Sequence, residues 1–296
     1  MIKARRIGHA TFETPDLDRQ IDYYQEVIGL CLVGREADRA FLATDVGQLT
    51  IVLEKAPQER CTKLSFEVAP EPDFHQMARL LSEANIGCET RSNALPGVPQ
   101  TLTFTDSKGT AIELFSEWQF VATNKLAGGA RPVKLGHIAF VVPDPKTTAE
   151  FYQQTMDFRV SDWIEDFFVF LRCGLEHHTV NFVRGPTARI HHFAFELRDS
   201  SHLLQACDLL GQRGTQILWG PVRHGPGHNI AVYHRNPDGH LVEFFIDLDD
   251  MVDEELGYFE PRPWHRDRPQ KPKVWTGQPR DIWGLPPLPE FMRDTR

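Results

Sequence analysis

The sequence predicts an α+β protein built from one βαβββ unit that occurs four times. The segment 8–30 and the segment 136–158 share Gly-His, Phe, Pro-Asp and Tyr at identical spacing. In each segment a short apolar run is followed by a Pro-Asp turn and then by apolar residues at helical spacing, which indicates a strand and an amphipathic helix. A repeat of this length is a strong indicator of the fold.

The second and fourth units are related in the same way. The segments 62–68 and 191–197 share a Phe-Glu pair, and a helical pattern follows both. After each helix come three strand-like runs with hairpin signals, such as Asn-Pro-Asp-Gly at 236–239. Each unit is therefore predicted to contain one strand, one helix and three further strands.

Composition argues against two classes of protein. The 296 residues carry a net charge of -9, whereas a nucleic-acid-binding protein needs a basic face. No apolar run approaches the roughly 20 residues of a membrane span. The amino terminus is basic without an apolar segment, and the five cysteines include no Cys-x-x-Cys pair. We therefore expect a cytoplasmic protein with no nucleic-acid or membrane partner.

The first strand of each unit supplies candidate site residues. When the four strands are aligned on their Phe, one position holds His9, Lys63, His137 and His192. Neighbouring side chains on a strand point to opposite faces. His192 is therefore predicted to share the interior face with His137, and His191 is expected on the outer face or in a neighbouring layer.

The last strand of each unit can be aligned on the glycine of the preceding hairpin. Four residues after that glycine stand Ile51, Glu113, His178 and Glu243. The first half of the chain thus offers an isoleucine and Lys63, and a lysine ammonium group has no lone pair for a metal. We expect a degenerate site in the first half and an intact cluster in the second.

The intact cluster has the composition of a metal site. His137, His192 and Glu243 offer two imidazoles and a carboxylate, which suit a divalent metal with open positions, as in non-haem Fe(II) oxygenases. Agreement at equivalent positions of a repeat favours a shared site over isolated core histidines. We therefore predict one metal per chain, bound in the second half.

A long gapped pattern in the fourth unit is typical of a known family. It reads V-x-H, seven residues, V-Y, two residues, N-P-x-G, three residues and E, and it runs from Val222 to Glu243. This pattern resembles the signature of type I extradiol ring-cleavage dioxygenases of the vicinal-oxygen-chelate superfamily. His-His-Thr at 177–179 is also similar to that family. The resemblance covers the third and fourth units closely and the first two by architecture.

The resemblance implies a fold and a cofactor. In this superfamily βαβββ units pair into half-open β-barrels, so two such barrels are expected here. His137, His192 and Glu243 match the three iron ligands of the family. The implied cofactor is Fe(II), with Mn(II) as the occasional substitute, and the implied assembly is a homo-oligomer.

The resemblance also implies a reaction, the extradiol cleavage of a small aromatic diol of the catechol type by O2 to a muconic semialdehyde-type product. His178 matches the acid/base histidine of the pocket. His224 and Tyr233 match residues that contact the substrate oxygens and the developing charge. A histidine suits proton transfer near neutral pH, and hydrogen-bond donors stabilise developing negative charge.

One position departs from a group of relatives. Those that cleave homoprotocatechuate carry an arginine five residues before the histidine matched by His224, and Trp219 stands there in this chain. We therefore interpret Trp219 as a substrate-binding residue that suits an apolar substituent. If the substrate carries a carboxylate, its cationic partner would have to be Arg223, or Arg262 or Arg266 in the tail.

Three segments are predicted along the chain. Residues 1–125 would form an amino-terminal domain of two units with the degenerate site, and residues 131–249 the catalytic domain. Residues 250–296 are rich in Pro and Trp without periodicity. We predict an extended arm that packs over the barrel mouth as a lid, onto another subunit, or onto the surface of its own chain.

Two alternative functions stay open at the level of sequence. A glyoxalase-like isomerase or lyase of the same superfamily would use His178 as a fourth metal ligand. A metal-free module that binds aromatic compounds would leave the His-His-Glu cluster unexplained. The His-His-Thr run and the pair His224 and Tyr233 favour the dioxygenase, because the isomerase does not need them.

Overall fold

The computed structural model describes residues 1–124, 128–260, 270–277 and 281–292. Its strands form one sheet of eight strands from the first half of the chain, one of ten strands from the second half and the arm, and one of two strands within the arm. Each of the two large sheets contains the strands of two βαβββ units. The predicted α+β class, with four units paired into two half-open barrels, is confirmed.

The described residues of the first half form eight strands, two α-helices and one π-helical turn. The first unit comprises β1 (Ala4–Thr14), α1 (Leu17–Tyr23) with the π-helical turn Tyr24–Ile28, β2 (Cys31–Arg35), β3 (Arg39–Ala43) and β4 (Leu49–Lys55). The second comprises β5 (Arg60–Val68), α2 (Phe74–Glu83), β6 (Cys88–Leu95), β7 (Val98–Thr105) and β8 (Ala111–Phe115). Their strands lie in the order β2-β3-β4-β1-β5-β8-β7-β6.

The second half repeats this arrangement. The third unit comprises β9 (Lys134–Val142), α3 (Pro145–Met156), β10 (Arg159–Ile164), β11 (Phe168–Arg172) and β12 (Val180–Arg184). The fourth comprises β13 (Arg189–Glu196), α4 (Ser200–Gln212), β14 (Trp219–His224), β15 (Ile230–Arg235) and β16 (Leu241–Ile246). Strands β9 and β13 pair antiparallel at the centre of the sheet, and β16 pairs parallel with β13.

The repeated Pro-Asp turns start the first helix of each half. The Asp16 carboxylate accepts a hydrogen bond from the backbone N–H of Arg19 at 3.1 Å. In the third unit the Asp144 carboxylate accepts from the N–H of Lys146 at 3.0 Å, and Pro145 occupies the first helical position. The aspartate accepts a hydrogen bond from an unpaired backbone N–H of the first turn, and the proline has no N–H at a position where one would be unpaired. The motif therefore marks the start of a helix.

Packing requires the glycine of the repeated Gly-His pair. A Cβ atom on Gly8 would lie 2.3 Å from the ring of Phe115, and one on Gly136 would lie 2.4 Å from the ring of Phe245. Only glycine allows the phenylalanine of the last strand to pack against the first strand at this point. The pair therefore places a buried aromatic ring beside His9 and beside His137.

The two halves share one apolar core and several polar contacts. The rings of Phe12 and Phe193 lie 4.7 Å apart across the boundary. The Tyr23 hydroxyl contacts Nε2 of His234 at 2.7 Å, and the Tyr152 hydroxyl donates to Asp106 at 2.8 Å. The chain thus folds as a back-to-back pair of related sheets.

The described part of the arm after the fourth unit contains four short strands and one helical turn. They are β17 (Met251–Asp253), β18 (Tyr258–Phe259), β19 (Lys273–Trp275), β20 (Asp281–Trp283) and α5 (Pro289–Met292). Strand β19 pairs with β10 and β20 pairs with β14, so the arm extends the ten-stranded sheet at both edges. Within the described residues, no helix has the length and apolar character needed to cross a membrane.

Candidate metal centre and substrate cavity

Three side chains from adjacent strands meet inside the second half. His137 lies on β9, His192 on β13 and Glu243 on β16, and all three are buried. Glu243 Oε2 lies 3.2 Å from His137 Nε2 and 3.3 Å from His192 Nε2, and the two imidazole nitrogens are 3.4 Å apart. These three residues form a cluster able to hold a metal ion.

The geometry and chemistry of this cluster fit a divalent ion. Nitrogen and oxygen atoms that bind one ion at about 2.1 Å lie about 3–3.5 Å from each other. Burial, and then the neighbouring histidines His191 and His137, hold the pKa of His192 well below its usual value. His192 is therefore neutral, as a metal ligand must be.

Glu243 and His192 each contact a further polar side chain outside the cluster. Asn229 donates from Nδ2 to the second oxygen of Glu243 at 2.9 Å. Nδ1 of His191 lies 2.7 Å from Nδ1 of His192, so Nε2 of His192 is left for the metal. Such contacts fix ligand orientation. His191 thus lies beside His192 and also lines the cavity, rather than facing away from it.

The cluster opens into a cavity of about 440 Å³. One wall is apolar and comes from β10, β11 and their link, with the side chains of Ile164, Phe167, Phe168 and Phe170. The arm closes another wall with Pro287, Phe291 and Met292. This volume is ample for a substituted aromatic ring.

His178 also lines the cavity, as the sequence predicts. Its ring centroid lies 4.4 Å from that of His137. Its Nδ1 contacts Nδ1 of His177 at 3.0 Å, and Nε2 of His177 contacts Asp162 at 3.1 Å. Burial, and then the neighbouring histidines, hold the pKa of His178 well below its usual value. Its Nε2 is therefore the nitrogen available to a molecule in the cavity.

His224, Tyr233 and Trp219 contact one another in another part of the cavity lining. Nε2 of His224 lies 2.9 Å from the Tyr233 hydroxyl. The ring of Trp219 stacks on Tyr233 with centroids 5.3 Å apart, and its Nε1 donates to the Leu285 carbonyl. Burial raises the pKa of Tyr233 well above its usual value, so the phenol keeps its proton. All three residues line the cavity.

Cationic side chains do not reach this cavity in the described part of the chain. Its described lining contains neither lysine nor arginine. Arg223 instead donates to the His228 carbonyl at 2.7 Å and to Asp247 at 3.3 Å. Arg262 and Arg266, the other predicted sources of a cation, lie outside the described residues.

Strand pairing corrects part of the alignment made from hairpin glycines. Glu243 on β16 pairs with Ala194, two residues after His192. The equivalent pairing in the third unit joins Ala139 to Asn181. The sequence prediction that His178 occupies the repeat position of Glu243 is therefore wrong by three residues, because the chain between β11 and β12 is longer than the other hairpins.

The same correction applies to the first unit. Thr11 stands where Ala194 stands in the fourth unit, and it pairs with Val52. The isoleucine identified from sequence, Ile51, is displaced by one residue and lies in the apolar core. The conclusion drawn from it is unchanged, because valine offers no metal ligand either.

Asn181, Asn229 and Asp281 are site residues that sequence reasoning missed. All three line the cavity, and the buried Oδ1 of Asn181 has no hydrogen-bond partner among the residues that the structure describes. Asn181 follows from the register of β12 against β9, two residues after His137, which counting from a hairpin glycine did not give. Asp281 had no signal, because the arm follows no repeat. Its carboxylate lies 2.8 Å from Nδ1 of His224.

The chain is similar in sequence to a known family model and to named relatives. Residues 134–244 match the family model described as "Glyoxalase/Bleomycin resistance protein/Dioxygenase superfamily". The chain is 26% identical over 263 residues to a metapyrocatechase of Pseudomonas sp. strain CF600, covering 81% of this chain and 85% of the relative. It is 27% identical over 259 residues to a biphenyl-2,3-diol 1,2-dioxygenase of Paraburkholderia xenovorans strain LB400, covering 81% and 87%.

A solved structure resembles nearly the whole chain. The Mn(II)-bound glyoxalase from Novosphingobium aromaticivorans superposes with a TM-score of 0.84 at 25% identity. The match covers 98% of this chain and 94% of that protein. The likeness therefore includes both halves and most of the arm.

Proposed function

We propose that the protein is an extradiol ring-cleavage dioxygenase, since residues 134–244 match the model of the Glyoxalase/Bleomycin resistance protein/Dioxygenase superfamily. It would cleave a catechol-type diol with O2 and form a muconic semialdehyde-type product. The cofactor would be Fe(II), or Mn(II) in its place. Two relatives whose names describe catechol and biphenyl-diol dioxygenases support this reaction.

One observation carries the proposal. The triad of His137, His192 and Glu243 opens into a cavity whose other polar groups include His178 and the pair His224 and Tyr233. A divalent ion held by three protein ligands keeps positions for substrate oxygens and lowers the pKa of a bound phenol. A cavity large enough for a substituted aromatic ring and the proton-carrying groups then complete the requirements of diol cleavage.

The side chains around the cavity would transfer a proton, stabilise the developing charge and exclude water. Nε2 of His178 would exchange a proton with the reacting oxygen, while His177 and Asp162 hold its ring from behind. The Tyr233 hydroxyl would donate a hydrogen bond to the oxygen on which charge develops, and His224 would contact a substrate oxygen beside it. The phenylalanine wall and the arm would keep bulk water from the reacting atoms.

The cavity wall also supports a preference for apolar substituents. Trp219 presents an indole ring where a carboxylate would need a cation, and Asp281 adds a negative charge to the lining. Burying a carboxylate without a cationic partner costs a few kcal/mol. We therefore expect 4-methylcatechol to have a kcat/KM about 100-fold above that of homoprotocatechuate.

The glyoxalase-like alternative has one observation in its favour, the structural match to the Mn(II)-bound glyoxalase. That reading predicted a fourth ligand at the repeat position of Glu243. This position holds Asn181, a neutral amide, and His178 lies three residues before it. Asn181 is a poorer metal ligand than a carboxylate or an imidazole, which favours the three-ligand site of the dioxygenase.

The test begins with protein purified without oxygen and loaded with Fe(II). Metal content is measured first, and a panel of substituted catechols is then mixed with O2 while the yellow ring-opened product is followed by absorbance. Glu243→Gln protein prepared in the same way is the matched control. A metal-loaded wild-type protein that consumes no O2 with any diol contradicts the proposal, and a metal-free protein that binds catechols indicates the binding module.

Assembly and location stay predictions. A homo-oligomer is expected from the resemblance, and sedimentation of the purified chain measures it. The cytoplasmic location is expected from the composition.

A further inference from the structure

The arm delivers a carboxylate to the lining of the cavity. Strand β20 pairs antiparallel with β14 in a register that sets Asp281 opposite His224. Oδ1 of Asp281 lies 2.8 Å from Nδ1 of His224, and Nε2 of the same ring lies 2.9 Å from the Tyr233 hydroxyl. The three groups form a continuous hydrogen-bonded row that begins in the arm and ends at the cavity.

The chemistry of a carboxylate fixes the direction of this row. An ionised carboxylate only accepts hydrogen bonds, so Nδ1 of His224 must donate to Asp281. Nε2 of the neutral ring then carries a lone pair and accepts from the Tyr233 hydroxyl, which would turn to a substrate oxygen when a diol enters the cavity. Without Asp281, the imidazole could exchange its tautomer or rotate, and the hydroxyl of Tyr233 would lose a fixed partner.

A second contact of the arm restrains the same group of residues. The Leu285 carbonyl accepts from Nε1 of Trp219 at 3.0 Å. The ring of Trp219 packs 4.9 Å from that of His224 and stacks on Tyr233. The arm therefore holds His224 directly through Asp281 and indirectly through Trp219.

We propose that Asp281 is a positioning residue, which orients His224 and through it Tyr233, so that the arm is an integral part of the active site. The proposal rests on the proposed dioxygenase function. Asp281 contributes no bond to the metal cluster, so its effect falls on turnover and not on metal retention. Because its charge faces the cavity, it also disfavours anionic substrates.

Kinetics of arm variants test this role. Asp281→Asn keeps the shape but lets the side chain donate as well as accept, so kcat for 4-methylcatechol should fall about 10- to 100-fold, as for other partners that orient active-site groups, with little change in KM. Asp281→Glu retains the carboxylate and should recover most of this loss. The exposed neighbour Ile282, changed to Asn, controls for disturbance of β20 and should keep wild-type kcat.

Two readouts do not depend on turnover. In protein loaded with diamagnetic Zn²⁺, nitrogen NMR of the histidine side chains should show the His224 ring protonated at Nδ1, and Asp281→Asn should change that pattern. Under nitrogen, binding of homoprotocatechuate to the Fe(II) protein should tighten in Asp281→Asn relative to 4-methylcatechol, since a repelling charge is gone.

The outcomes separate the two proposals. Unchanged kcat and an unchanged His224 spectrum in Asp281→Asn would overturn the positioning role, and so would an equal loss in Ile282→Asn. Failure of Asp281→Glu to recover kcat would also count against it. Wild-type protein that shows the expected His224 spectrum but cleaves no diol would contradict the dioxygenase function while the Asp281–His224 contact stands.

Discussion

The two halves of the chain contain the same pair of residues at the same separation, yet among the described residues only the second half adds a third ligand-type side chain to the pair. Nε2 of His9 lies 3.2 Å from Glu113 in the first half, and Nε2 of His137 lies 3.2 Å from Glu243 in the second. The histidine and the carboxylate alone therefore do not make the site.

Two other positions distinguish the halves. Lys63 stands where His192 stands, and its ammonium group turns to Glu54 at 2.9 Å. Ser65 stands where Ala194 stands, and its hydroxyl lies 2.7 Å from both His9 and Glu113. The serine hydroxyl thus occupies the place of an ion, whereas the alanine leaves that place open.

Electrostatics agree with this difference. Burial alone would raise the pKa of Glu113, but its interactions with His9, Ser65 and Lys63 outweigh burial and lower it to about 2. The first site is therefore satisfied by its own side chains. The second has the same carboxylate with two neighbouring imidazoles and an adjoining cavity.

Removal of a ligand from the second half should give the largest effect. His192→Ala should lose the metal and all measurable diol cleavage, because the loss of a ligand exceeds the roughly 10- to 100-fold cost of losing an outer partner. His9→Ala is the matched control and should keep one metal per chain. Metal analysis after gel filtration measures both, and two tightly held ions in the wild type would contradict the comparison.

His178→Asn should come next in size. It removes a proton carrier but no ligand, so metal content should stay at the wild-type level while kcat falls about 100- to 10,000-fold. Metal analysis and single-turnover product formation from the same preparation separate the two effects. If this variant lost its metal as His192→Ala does, His178 would be a ligand and the glyoxalase-like reading would gain support.

Conversion of the second site toward the first should have a moderate effect. Ala194→Ser places a hydroxyl between His137 and Glu243, as Ser65 is placed between their counterparts. We expect metal affinity to fall about 10- to 100-fold, as when groups beside a metal site are altered. Titration with a competing chelator measures the affinity. Ala194→Gly is the control, and unchanged affinity in Ala194→Ser would show that the serine does not close the first site.

The smallest effect concerns the contact between the halves. Burial lowers the pKa of His234, which contacts Tyr23, to about 3. Below pH 6.5 the unfolded chain binds a proton there that the folded chain refuses, so folding stability falls as pH drops from about 6.5 toward 3. Between pH 7 and pH 4 this histidine should cost about 3 kcal/mol.

Urea unfolding at several pH values measures this cost. His234→Gln keeps a hydrogen-bonding side chain without the titration, so its free energy of unfolding should fall less steeply with acid than that of the wild type. The exposed His75, changed to Gln, should leave the slope unaltered. Parallel pH profiles for wild type and His234→Gln would contradict the assignment.

The sequence by itself determined the repeat, the fold class and the metal cluster. Strand alternation and helix caps are local, so shared spacing was enough to place His137 and His192 on one interior face. The long gapped pattern identified the region of Glu243 and its neighbours His224 and Tyr233. Substitution of Lys63 for His192 was also visible without coordinates, because a lysine cannot bind a metal.

Tertiary structure decided what surrounds that cluster. The glycine count failed for His178 because loop length is free to vary, whereas hydrogen-bond register places Asn181 opposite Ala139. Ser65 became informative only when its hydroxyl was seen between His9 and Glu113. Asp281 reaches His224 from 57 residues away along the chain, through an arm without periodicity, and only strand pairing at the sheet edge brings the two together.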